Sequence, residues 1–188
     1  MAAASEPVRR HNGLLYKELI SVFNDCFLLS YRCRLQGGYQ EPFYFSAKNT
    51  APACVCFRED FASSALHEVA HWCIAGEARR QLVDYGYWYK PDGRTEAQQK
   101  QFESVEVKPQ ALEWLFSLAA GVRFQISLDN LAGEQTNSEA FKKAVFAEAR
   151  SMLAREKLPS RATMFLNALV EKTGCTDAMK TMLSYQDL

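Results

Sequence analysis

Ser63-Ser-Ala-Leu-His-Glu-Val-Ala-His-Trp-Cys-Ile-Ala75 is the stretch on which the reading of this chain turns. Leu66, Val69, Ala70, Cys73 and Ile74 recur at helical spacing, so the segment predicts an α-helix with one apolar face. His67 and His71 stand four residues apart, and on a helix residues i and i+4 lie one above the other. Two imidazoles placed that way can each turn a nitrogen to one metal ion. With Glu68 they form H-E-x-x-H, and the chain has only three histidines in all. The spacing points to a metal-binding helix without yet naming a reaction.

Upstream of that helix, Pro42–Ser46 and Ala53–Phe57 read as two short strands separated by a polar turn. Gly37-Gly38 reads as a turn. Before it, Leu14, Leu15, Leu19, Val22, Phe23, Cys26 and Phe27 repeat with helical period behind an Asn12 cap. Residues 1–11 read as a flexible terminus and 12–188 as a single domain. Downstream, Gly76 ends or kinks the metal helix, and Glu77 to Val83 adds a further turn. Tyr85 to Tyr89 alternates like a third strand, closed by a Pro91-Asp92-Gly93 turn. Thr95 to Glu103 reads as a polar, exposed helix. A buried helix starts near Pro109, a residue favoured in a first turn, and ends at Gly121. Two more helices follow, Ser138 to Glu156 and Ser160 to Thr173, the second leaving through Gly174. The expected fold is α+β: a helical body packed on a small, mainly antiparallel sheet, with the H-E-x-x-H helix against it.

The 188 residues carry 22 basic and 22 acidic side chains, a formal net charge of zero. General attraction to nucleic acid or an anionic membrane is therefore not expected. No apolar run approaches the roughly 18–20 residues of a membrane span, and no secretory signal precedes the first helix, so a cytoplasmic monomer is expected. The six cysteines include no C-x-x-C pair. Cys54-x-Cys56 reads as strand alternation that puts both thiols on one face of the sheet. Reduced, mostly buried thiols are expected.

Two histidines leave a divalent metal short of ligands. His11 lies in the loose terminus, so a third ligand from the body of the chain has to be a carboxylate. Glu106, between Val105 and Val107, ranks first, because a buried unpaired carboxylate costs several kcal/mol that a metal offsets. Glu103 ranks second and Glu113 third. Glu68 has two possible tasks: general base towards metal-bound water, or a group that tunes the metal's surroundings and positions substrate. Asp84, Tyr85, Tyr87, Trp88, Tyr89 and Asp92 would form an aromatic, acidic wall suited to an ammonium group. The alternative for those rings is simple core filling beneath a hairpin.

Four stretches together resemble the bacterial elongation factor P hydroxylases: Ala65 to Gly76, Asp84 to Arg94, Phe102-Glu103, and Val105-Glu-Val-Lys-Pro-Gln-Ala-Leu-Glu-Trp114. The likeness is dense from about residue 61 to 131. It implies hydroxylation of the lysine of translation elongation factor P that already carries a β-lysyl group. It further implies a non-haem Fe(II) held by two histidines and one carboxylate, with O2 as oxidant. His67 and His71 match the family's histidine ligands, and Glu106 falls in its V-E-V-K-P-Q segment. Zn(II) would be an expected substitute in purified protein, and the need for 2-oxoglutarate stays open. Two other readings remain at this stage. One is a zinc peptidase with Glu68 as base; the other is a non-catalytic module stapled by its metal.

Overall fold

The computed structural model describes residues 13–86, 93–128, 138–155 and 158–175. The first helix, α1 (Tyr16–Phe27), buries Leu19, Val22, Phe23 and Phe27 on one face. The expected Asn12 cap lies outside the described residues. Three strands follow: β1 (Cys33–Tyr39), β2 (Phe43–Phe45) and β3 (Ala53–Arg58). β3 is central, and its run Ala-Cys-Val-Cys-Phe is buried throughout, as a strand covered on both faces requires. β1 pairs with it in parallel and β2 antiparallel, so the small sheet is mixed.

β1 is a strand the periodicity did not announce, and it corrects the turn expected at Gly37-Gly38. Both glycines lie inside it, where the register slips between Gln36 and Tyr39. A Cβ on Gly37 would sit 2.6 Å from Cζ of the buried Phe57 ring, so close backbone approach is what glycine supplies there.

Beyond β3 comes the H-E-x-x-H helix, α2 (Ala62–Ile74), and then a short α3 (Glu77–Arg80). The third strand expected from Tyr85 is absent at its start: Val83–Gly86 is a tight helical turn. Asp84 and Tyr85 take left-handed φ values of 46° and 56°. Such conformations cost of order 1–3 kcal/mol in non-glycine residues. Two contacts oppose that cost. Asp84 Oδ1 accepts from the Tyr44 amide at 2.7 Å, and the Tyr85 ring stacks on Tyr44 at 4.3 Å. The remainder of that expected strand, and Tyr87, Trp88 and Asp92 with it, lie outside the described residues.

A single long helix, α4 (Glu96–Ala120), replaces the polar helix and the separate helix expected to begin at Pro109. Its start is a capping box instead: the Gln98 amide donates to Thr95 Oγ1 and the Thr95 amide to Gln98 Oε1. Gly121, in the left-handed region at φ 69°, ends it. Pro109 sits inside, forgoing one helical hydrogen bond where the preceding residues Ser104 and Val105 are exposed to solvent. Two further helices, α5 (Ser138–Arg155) and α6 (Ser160–Thr173), complete the body. None of the described helices is long and apolar enough to cross a membrane.

The core forms where α2 packs on β3, α4, α1 and α6. Trp72 of α2 lies between Phe23 and Phe27 of α1, at ring distances of 5.2 and 4.8 Å, and Phe165 of α6 packs on Phe23 and on Phe116 of α4. With one flank of α2 locked in this aromatic cluster, the flank that carries its histidines is turned to α4.

Candidate metal centre

On α4, Glu106, Gln110 and Glu113 are spaced four and three residues apart, one stripe of a helix. All three are buried. α4 lies against α2, and this stripe faces His67 and His71. Gln110 is held in turn, donating to the Ser127 carbonyl at 2.8 Å and accepting from the Ser127 amide at 3.0 Å.

The two imidazoles turn Nε2 to Nε2, 3.1 Å apart. Glu106 Oε1 lies 3.3 Å from His71 Nε2, and its Oε2 lies 3.7 Å from His67 Nε2. Ligand bonds of about 2.0–2.2 Å at ordinary angles would set neighbouring ligand atoms about 3.0–3.6 Å apart. The 3.1 and 3.3 Å separations fall in that range and the 3.7 Å one lies just beyond it, so a small side-chain movement fits the three to one ion. Their ligand atoms all lie within 4.8 Å of one another. Among the described residues Glu106 Oε2 is also buried without a hydrogen-bond partner, a costly state that a cation would relieve.

The electrostatics agree. Burial alone would raise the Glu106 carboxyl, yet His71 and His67 hold it down to about 2. Burial alone would lower His67, yet Glu113, then Glu106 and Glu68, raise it to about 10. Glu68 is pushed upward by burial, as is Glu113. Three acids converge on two imidazoles, and the ion pairs of Glu106 and Glu113 among the described residues run only to those histidines. The site as built calls for positive charge.

Glu113 does a job different from the one its sequence rank suggested. Its Oε2 is 2.8 Å from His67 Nδ1, on the far side of the ring from Glu106. An acceptor there keeps the proton on Nδ1 and leaves the Nε2 lone pair free for a metal. Glu103 stays away from the cluster, accepting from Gln99 Nε2 at 3.2 Å. Of the three carboxylates weighed from the sequence, Glu106 is the one grouped with both histidines. Only the α2–α4 crossing distinguishes the other two, since nothing in the local pattern tells which acid meets which ring nitrogen.

Two cavities border the cluster. One of about 370 Å³ is lined by His71, Glu106, Arg79, Lys108 and Tyr85. The other, about 330 Å³, is lined by His67, Glu68, Glu113, Glu41, Ser64 and Arg58. Among the described residues the buried Tyr85 hydroxyl has no hydrogen-bond partner, and Tyr85 lines the same cavity as His71. Asp84 is committed to the Tyr44 amide. The cysteines are free thiols, with Cys33, Cys54, Cys56 and Cys73 buried and Cys26 and Cys175 half-buried.

Residues 22–182 match the elongation factor P hydroxylase family. A protein from Haemophilus influenzae named elongation factor P lysine hydroxylase is 48% identical over 155 residues, covering 82% of this chain and 86% of its own length. The paired histidines of α2 and the acidic stripe of α4 all fall inside the matched span, and the chain belongs to the elongation factor P hydroxylase family.

Proposed function

We propose that this protein hydroxylates the β-lysylated lysine of translation elongation factor P in the cytoplasm, as a single-domain enzyme with Fe(II) held by His67, His71 and Glu106. The observation that carries the reading is the convergence of those three side chains within 4.8 Å, in a chain whose relative bears the lysine hydroxylase name. Fe(II) bound there would supply, with O2, the oxidising power that an unactivated C–H bond requires and that side chains lack. Three ligands on one side of an ion leave positions open, which suits an oxygen-using site better than a closed structural one.

The chain's own groups have the remaining tasks. Glu113 holds the His67 ring by Nδ1, and Gln110 ties α4 to the Ser127 segment. Glu68, half-buried beside His67, can attract the substrate's ammonium group or hold a proton near it. Tyr85 lines the cavity that reaches His71 and Glu106, with its hydroxyl buried. Tyr87, Trp88 and Asp92 are assigned, on their aromatic and acidic character, to the wall that grips the lysyl arm. Asp84 shapes the turn from which that wall departs.

The test is intact-mass analysis of β-lysylated elongation factor P incubated with this protein, Fe(II) and air. A gain of about 16 Da, one oxygen, that disappears in His67→Ala is the expected result. No mass gain with Fe(II), together with peptide cleavage under Zn(II), would transfer the site to the peptidase that H-E-x-x-H also serves.

A further inference from the structure

Cys54 and Cys56 lie two residues apart on β3, on one face, and neither belongs to the cluster on α2 and α4. Cys56 Sγ donates to Cys54 Sγ at 3.4 Å. β1 runs alongside with Arg34 opposite Cys54 and Gln36 opposite Cys56. Arg34 and Tyr39 of β1 interact electrostatically with the pair, Arg34 with Cys54 and Tyr39 with Cys56, and Cys54 Sγ donates to Gln36 Oε1 at 4.0 Å. Both residues are buried. Cys54 nonetheless lines a cavity of about 290 Å³ that it shares with Arg34, Tyr39, Phe45, Ser46 and Lys48.

A thiolate, not a thiol, is the nucleophile. The Cys56 S–H and then the Arg34 guanidinium favour the anion on Cys54, and together they outweigh burial. Cys56 is held protonated by the sulfur beside it. Cys33 and Cys73 are pushed up by burial and have no such arrangement. The pair thus consists of one sulfur poised to attack and a second in contact with it. Arg34 and Lys48 disfavour a metal cation in this cavity, whereas a small neutral oxidant can enter it.

We propose that Cys54 is a peroxide-reactive thiol and that Cys56 resolves it to a reversible disulfide within β3. The Cys54 thiolate attacks one oxygen of hydrogen peroxide; the O–O bond breaks, a sulfenic acid forms, and the hydroxide released takes a proton from solvent. Cys56 Sγ then attacks the Cys54 sulfur. The S–S bond forms as the S–OH bond breaks, and the hydroxyl leaves as water with the Cys56 proton. Both thiols are oxidised and one peroxide is reduced to two waters. Residues two apart on a strand have Cα and Cβ atoms about 6.6 Å apart. That is within the Cα limit of about 6.8 Å but beyond the Cβ range of about 3.5–4.5 Å for a disulfide, so β3 has to bend at Val55 for the bond to close. The bond is therefore strained and easily reduced.

The experiment treats the full-length protein with hydrogen peroxide, alkylates the remaining thiols and maps the peptides by mass. The expected product is a loss of about 2 Da on the peptide holding Cys54 and Cys56, reversed by dithiothreitol. Cys56→Ser should instead accumulate a sulfenic acid at Cys54 that dimedone traps, and Cys54→Ser should give neither product. Oxidation of half-buried Cys26 or Cys175 ahead of Cys54 would overturn the proposal. Arg34→Met keeps both sulfurs and should slow oxidation roughly tenfold by reducing the thiolate fraction; an unchanged rate in a folded Arg34→Met protein would overturn it equally.

Discussion

His67 meets Glu113 through one ring nitrogen and faces His71 and Glu106 with the other, so each of its atoms has a different consequence when a partner is changed. His67→Ala or His71→Ala should abolish metal retention and leave the circular dichroism of the fold intact; bound Co(II) or Fe(II), measured after desalting, checks this. Unchanged metal content in both variants would remove the site. Glu113→Gln keeps the size of the side chain but weakens its hold on Nδ1–H. Metal affinity by titration calorimetry should fall about 10–100-fold, while Glu103→Gln should leave it within a factor of about two, as that residue bonds Gln99 instead. Glu106 was legible in the sequence because an acid between two valines, next to a buried run, is costly without a partner. Glu113 was not, because its partner lies 46 residues away and no local pattern encodes that meeting.

At the scale of elements, α2 was readable and α4 was not, for the same physical reason. Helical periodicity in α2 carries its own signal, whereas Pro109 in α4 sends a false one: proline suits a first turn, yet packing against α2 and the Thr95–Gln98 cap outweigh one lost hydrogen bond. β1 was missed because paired glycines favour a turn when considered alone. In the sheet Gly37 is set by Phe57 instead, whose ring and the neighbouring Glu59 carbonyl leave no room for a Cβ. Gly37→Ala should therefore lower the urea midpoint, by about 1–3 kcal/mol of stability as overpacking does. An unchanged midpoint would mean that β1 shifts freely and that its bulge is not held by this contact.

Across the whole molecule, the helix bearing the histidines is tied at its end by a residue 86 positions later than the last carbonyl it caps. Arg161 of α6 donates to the carbonyls of Trp72 and Cys73 at 3.0 Å and of Ala75 at 2.6 Å, and its guanidinium lies over the Trp72 ring at 4.8 Å. Arg80 donates to Ala75 as well. Arg161→Met should cost about 2 kcal/mol, since bonds from a charged donor are lost and carbonyls are left unpaired. Thermal unfolding would show it, while metal affinity of the folded fraction should stay within a factor of about two; a collapse of affinity without loss of stability would give Arg161 a role at the site. The sequence by itself determined the α+β class and the H-E-x-x-H helix with its two histidines on one face, because a 3.6-residue period and an i, i+4 spacing are local facts. Only the tertiary structure decided that Glu106 closes the cluster, that Glu113 turns His67, and that β1 joins the sheet. Those outcomes depend on how helices cross and strands pair, and the energy of a crossing comes from residues far apart in the chain.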